Sequence, residues 1–287
     1  MDSETSSPHQ NPQTDAGESA TTQPIGPELR RRLEDVRSRI AAACERSERS
    51  PDSVTLVAVT KYAAPEQVRQ LISMGVSDFG ENYVQQLAQR AGQLSEFHNR
   101  LAAAGDPGIA PTIRWHMVGH LQRNKVKQAL PHMTMLQTID SLRLAEELES
   151  AAARYWGESA ASQGGDRRLP VLLQINCSEE GQKSGVAVGA ATHLAEAIDE
   201  LANLRLMGVM TMAREGADEA EIRSTYGRCR EIFEEMANLD IAGADLRHLS
   251  MGMSGDYEIA IEEGATIVRV GSAIFGDHAP SDDKEDA

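Results

Sequence analysis

Three kinds of residue that can act together on an anionic, aromatic ligand fall at strand and turn positions of this 287-residue chain. Lys61 closes the apolar run Val54 to Lys61, where its amine could condense with a carbonyl to form a Schiff base. Arg269 is a lone cation inside the Val/Ile run Thr266 to Val270; its guanidinium donates hydrogen bonds but does not titrate. On either side of it lie two small-residue turns, Gly252 to Gly255 and Gly271-Ser272. Turn glycines let a ligand approach backbone N–H groups, and Ser254 and Ser272 add hydroxyls, so the pair reads as a phosphate cradle. Ser254 is also expected to cap a helix from Asp256 to Glu263 that Gly264 ends. Taken singly, each feature has a plainer account: a solvated strand-end lysine, a cap, a strand terminus, an arginine half-buried against a carboxylate. What decides is whether the chain brings them to one place.

The elements that would do so alternate. Helical spacing puts Leu29, Leu33, Val36 and Ile40 on one face of a helix from Pro27 to Cys44. Strands are expected at Val54 to Lys61, Asp78 to Asn82, Ile113 to Gly119, Met135 to Ile139, Pro170 to Asn176, Leu204 to Met212, Leu246 to Ser250 and Thr266 to Val270. Helical segments separate them, beginning at Pro65, Tyr83, Gln122, Ser141, Gly189, Asp218 and Asp256. The helix from Tyr83 is expected to end near Leu94. The stretches Phe97 to Thr112 and Ser159 to Arg168 read as irregular connections. This is the α/β pattern of a single (β/α)8 TIM barrel preceded by an N-terminal helix, which would occupy the place of the last barrel helix. A doubly wound open sheet is the alternative, but no G-x-G-x-x-G follows a strand.

Functional groups of such barrels sit at the C-terminal ends of the strands, and phosphate is often held after strands 7 and 8. Those are the two turns above. Barrel closure would set strand 1, and with it Lys61, beside strand 8. Against apolar walls the ammonium form of a lysine is disfavoured, which suits an amine nucleophile. The strand period turns Ile267, Arg269 and Gly271 inward and Val268 and Val270 toward the outer helices.

The segments VAVTK (Val57 to Lys61), FGENYVQ (Phe79 to Gln85), WHMVGHLQRNK (Trp115 to Lys125), LQINCSEEGQKSGV (Leu173 to Val186), GVMTM (Gly208 to Met212) and LSMGMSGDYEIAIEEGATIVRVGSAIFG (Leu249 to Gly276) carry a whole-chain resemblance. The sequence resembles the pyridoxal phosphate homeostasis proteins, a family related to the N-terminal barrel of alanine racemase. The resemblance implies a fold-type III barrel binding pyridoxal 5'-phosphate (PLP), with Lys61 carrying the cofactor as a covalent aldimine. It further implies Asn82 beside the ring, Arg269 facing the pyridine nitrogen, and Ser254, Gly271 and Ser272 around the phosphate. Ser272 stands where family members often have threonine, and the hydroxyl is kept. The implied role is buffering or delivery of PLP within the cell, without substrate turnover. A PLP-dependent amino-acid racemase is the alternative; it would need a second catalytic base, which alanine racemases take from a domain after the barrel, where this chain shows only a short acidic tail.

Composition bounds the rest. A formal net charge of −16 argues against a nucleic-acid partner, and no basic segment suggests a membrane anchor. Three scattered cysteines with no C-x-x-C suggest neither a disulfide framework nor a zinc site, and fit a reducing cytoplasm. Residues 1–25 are expected to be a disordered extension, 26–278 the PLP-binding barrel and 279–287 a disordered acidic tail. The resemblance implies PLP-dependent apo-enzymes as partners, without naming the recipients; the missing domain after the barrel removes one racemase dimer contact, so a monomer is expected. His116 and His120 could share one side of a strand but have no third ligand spaced with them, so no metal is expected. Lys183 and Ser184 lack P-loop spacing, Cys177 reads as a small buried residue, and Met207, Met210 and Met212 as barrel packing.

Overall fold

The computed structural model describes residues 25–103, 110, 112–157, 167–178 and 184–276. The disorder expected for residues 1–25 and 279–287 lies outside them except at Ile25, which instead begins a helix, and most of the connection expected from Ser159 lies outside them too.

Eight parallel strands close on themselves: β1 (Thr55–Val59), β2 (Asp78–Glu81), β3 (Arg114–Met117), β4 (Met135–Ile139), β5 (Leu169–Asn176), β6 (Leu204–Met210), β7 (His248–Ser250) and β8 (Ile267–Val270). Each pairs with its sequence neighbour, and β1 pairs with β8 in the register Val57 opposite Arg269 and Ala58 opposite Val270. The two-residue segment Val186–Ala187 adds to the C-terminal end of β5. Around the barrel run α1 (Ile25–Arg46), α2 (Pro65–Ser73), α3 (Val84–Ala103), the single turn α4 (Val126–Ala129), α5 (Leu142–Gly157), α6 (Ala191–Asp199), α7 (Glu219–Asn238), α8 (Tyr257–Glu262) and the short α9 (Ser272–Phe275). The barrel is therefore the (β/α)8 architecture that the alternation implies.

Two hydrophobic zones follow from the strand period. Val57, Met135, Leu172, Met207, Met210 and Ile267 fill the inside, with Met212 packed on them. Alternate residues such as Ala58, Leu136, Val209, Val268 and Val270 join the outer core against the helices. The apolar stripe of α1, Leu29, Leu33, Val36 and Ile40, is buried, and α1 packs on α8, α9 and α2. It thus covers the seam between strands 8 and 1 from outside.

The irregular connection expected from Phe97 is partly helical. α3 continues to Ala103 because Leu87, Ala91, Leu94 and His98 carry its buried face one turn further, and the His98 ring bonds the Ala110 carbonyl at 2.8 Å. A histidine in an apolar position hid that period. The helix expected from Gln122 is instead two 3₁₀ turns flanking α4, broken where Pro131 removes an N–H. Several strands are shorter at their C-terminal ends than the apolar runs suggest: Lys61 lies two residues past the end of β1 and Met212 two past β6. Those extra residues form the mouth.

Candidate functional site

A cavity of about 630 Å³ opens at the C-terminal ends of the strands, and Lys61, Asn82, Ser254, Arg269, Gly271 and Ser272 all line it. Residues from β1, β2, β7 and β8 thus converge although they span most of the chain.

Lys61 sits in the turn after β1, half-buried, with its Nζ 5.0 Å from the centre of the exposed Tyr62 ring. The turn is clamped from behind by Arg90 on α3, which donates to the carbonyls of Thr60 and Ala63, the latter at 2.8 Å, one on each side of Lys61. Arg90 also pairs with Glu81 at 2.9 Å, and Thr60 Oγ1 donates to the same carboxylate. Gln86, with its amide turned to donate, reaches Glu81 Oε2 and the Lys61 carbonyl. Burial pushes the Glu81 carboxyl up, and Arg90 and Thr60 offset only part of that. A carboxylate with no exposed surface is therefore tied into the backbone that presents Lys61.

Asn82 follows Glu81 at the end of β2, and its side-chain amide has no hydrogen-bond partner among the described residues. Its backbone is fixed by close approach. A Cβ on Gly119 would lie 2.3 Å from the Asn82 carbonyl oxygen, so the loops after β2 and β3 can touch only through glycine.

The turn after β7 departs from expectation in one respect. Ser254 does not cap α8; Asp256 occupies that N-cap, and its Oδ1 accepts from Met253 N–H at 2.6 Å. Ser254 Oγ instead crosses to the turn after β8 and accepts from the Gly271 and Ala273 N–H groups at 3.1 and 3.2 Å. The two turns are therefore one structure, joined by a hydroxyl. Gly252 makes the approach possible: its φ is +95°, and a Cβ there would meet Ala260 Cβ at 2.6 Å. Gly271 is packed against β1, where an added Cβ would lie 3.3 Å from the Val59 carbonyl oxygen. Ser272 at the start of α9 is exposed to the cavity mouth.

Arg269 is inward, as the strand period requires, but more deeply buried than a half-buried ion pair would be, at 4% exposure. Its Nη1 donates to Ser250 Oγ at 2.6 Å and its Nη2 to the Thr211 carbonyl at 2.9 Å. Among the described residues no carboxylate forms an ion pair with it, and burial pushes the guanidinium down from the ordinary arginine value. The cavity thus presents an amine, free amide, hydroxyl and N–H donors, and a buried cation whose charge is not neutralised by contact. That set suits a flat ligand bearing a carbonyl, an acceptor in the ring and an anionic group.

Other residues singled out by sequence take different places. His116 is buried inside the barrel and bonded to Asp78 and Gln137, whereas His120 is exposed near Asp140. Cys177 and the other cysteines are buried, and none of them is in a disulfide. Sequence reading missed Arg90, Glu81, Gln137, Ser250 and Thr211. The signal available was polarity in the wrong place: Gln137, Ser250 and Thr211 interrupt or end apolar strands, which is where inward polar groups belong.

The Alanine racemase, N-terminal domain family model matches residues 32–279. The pyridoxal phosphate homeostasis protein of Escherichia coli is 36% identical over 244 residues, covering 85% of this chain and 94% of that one. The structure of PipY from Synechococcus elongatus with PLP bound is 29% identical, with a TM-score of 0.66 over 86% of this chain and all of its own. An alanine racemase from Clostridium difficile, at 14% identity and a TM-score of 0.63, shares the fold over 61% of its length.

Proposed function

The chain belongs to the pyridoxal phosphate homeostasis protein family, and from that premise we propose that it binds PLP in the cavity at the barrel mouth, takes part in intracellular PLP homeostasis, and turns over no substrate. The observation that carries the reading is the convergence of Lys61 with the Ser254-linked turns and the unpaired Arg269 on one cavity. The donor set fits the cofactor. An aldehyde needs an amine, a phosphate needs hydroxyl and N–H donors, and a pyridine nitrogen needs a donor; the cavity supplies each.

When bound, PLP supplies an aldehyde that condenses reversibly with an amine, releasing water. Lys61 is the amine, held to a fixed turn by the Arg90 clamp. Ser254, Gly271 and Ser272 form the phosphate end, where a phosphate would take up donors that now meet Ser254 Oγ. Asn82 offers its free amide beside the ring. Arg269 would offer a donor to the ring nitrogen and keep its proton, which would leave that nitrogen an acceptor and the ring a weaker electron sink. That favours holding the cofactor over using it.

The same reading makes residues 26–278 the PLP-binding unit, with apo-enzymes that use PLP as recipients, a monomeric protein and a cytoplasmic location. Cys44, Cys177 and Cys229, buried and not joined in disulfides, accord with a reducing compartment. Among the described residues no helix is long and apolar enough to cross a membrane. The test is α-carbon deuterium exchange on a panel of amino acids with purified holoprotein. The reading expects no sustained exchange or racemisation; turnover that disappears in Lys61→Ala would overturn the non-catalytic role.

A further inference from the structure

Arg269 ends a row of hydrogen bonds that crosses the barrel. Its Nη1 donates to Ser250 Oγ at 2.6 Å; Ser250 donates to Gln137 Oε1 at 2.7 Å; Gln137 Nε2 lies 3.0 Å from His116 Nδ1; His116 Nε2 lies 3.0 Å from Asp78 Oδ1. Asp78 is held in turn by Arg114 and Ser77. The row runs over β8, β7, β4, β3 and β2, and none of its five residues is more than 4% exposed.

Its direction is fixed by its ends. A guanidinium donates and never accepts, so Ser250 Oγ must accept from Arg269 and turn its own hydrogen to Gln137. Gln137 then presents oxygen to Ser250 and nitrogen to His116. His116 Nδ1 must accept, which leaves the Nε2 proton facing Asp78. An ionised carboxylate can only accept, so the far end imposes the same order. Three neutral side chains are polarised one way between a cation and an anion. An apolar filling would avoid the cost of burying these groups, as Val57, Leu172 and Met210 do elsewhere inside the barrel.

We propose that Ser250 and Gln137, backed by His116 and Asp78, are positioning residues that hold Arg269 as a fixed donor to the cavity, so that the site selects a ring whose nitrogen is an unprotonated acceptor. Two of the five guanidinium N–H groups are engaged by Ser250 and Thr211, which sets the plane and orientation of the rest. The inference rests on the PLP reading above and adds the residues that give it ring-nitrogen selectivity.

The experiment compares equilibrium binding of PLP and of its deaza analogue, in which the ring nitrogen is a C–H, to the full chain and to Ser250→Ala and Gln137→Met. Wild type is expected to prefer PLP by roughly tenfold or more, the scale of one hydrogen bond from a charged donor. Both variants are expected to bring the ratio close to one. A purely structural role would weaken the two ligands alike and leave the ratio unchanged, and that result overturns the proposal. So does a wild type with no preference, while its PLP binding stands. Failure of wild type to take up either ligand contradicts the PLP reading itself. Ser250→Ala deletes one oxygen and carries the test if Gln137→Met does not fold.

Discussion

Two arginines lie behind the barrel mouth and are handled in opposite ways. Arg90 meets its counter-charge directly, Glu81 at 2.9 Å, and also binds the two carbonyls flanking Lys61. Arg269 touches a hydroxyl and a carbonyl, and reaches the carboxylate of Asp78 only through three intervening side chains. The first arrangement satisfies its charge internally and fixes the shape of the chain. The second leaves a cation at the cavity with no carboxylate among the described residues in contact, and Asp256, which also lines the cavity, acts on it only through space. Where a buried cation finds its anion thus separates an arginine that fixes the chain's shape from the one proposed to meet the cofactor.

The comparison breaks most easily at Arg90. Arg90→Met leaves the fully buried Glu81 without its cation and should lower unfolding stability by about 3–5 kcal/mol in urea titrations. A near-neutral result would mean that Glu81 is carried by Thr60 and Gln86 alone. Arg269→Met should act mainly on binding. Stability should fall less than in Arg90→Met, by about 1–3 kcal/mol, since the cation's desolvation cost goes with it while Ser250 Oγ and the Thr211 carbonyl lose their donor. PLP affinity should fall roughly tenfold or more. Equal stability losses for the two variants would erase the distinction.

The two carboxylates sharpen it through pH. Burial pushes Asp78 up, but the bonds from His116, Arg114 and Ser77 outweigh it and hold the carboxyl well below the usual range. Its contribution is therefore present above the unfolded value of about 3.9 and fades as pH falls below it toward the folded one. The stability difference between wild type and Asp78→Asn should be largest above about pH 5 and shrink on acidification below about pH 4. Glu81, raised by burial, acts in the opposite sense, favouring the folded state as pH falls through its raised value. A wild type to Asp78→Asn difference that is flat with pH would show that the row does not end on an ionised group. The smallest effect is expected outside the barrel, where Arg46 pairs with Glu258 and Glu262 in half-exposed positions. Arg46→Ala should change the urea midpoint far less than Arg90→Met, because water and salt screen such pairs.

Much of the fold was legible because parallel barrel strands are nearly all apolar and the helices between them are amphipathic. Met135–Ile139 matches the expected strand residue for residue, and α7 begins where expected, with Asp218 at its N-cap. Lys61 at a strand end, Arg269 inside an apolar strand and the two glycine turns stood out by residue type, Asn82 only through the resemblance, and all reach one cavity. What stayed hidden depends on contacts between distant segments. Nothing local tells that Ser254 bonds the turn after β8 rather than its own helix, since both Ser254 and Asp256 before Tyr257 are of the type that caps helices. Nor can spacing pair Arg90 with the carbonyls of Thr60 and Ala63, because that requires the angle at which α3 packs on the barrel. The Asp78 to Arg269 row is assembled from five strands, so no single segment carries its signature.

Borohydride reduction of the PLP-loaded protein followed by peptide mass spectrometry tests the central claim most directly. A phosphopyridoxyl group on Lys61, lost in Lys61→Ala, is the predicted result. Its appearance only on other lysines, with Lys61 unmodified, would contradict the account.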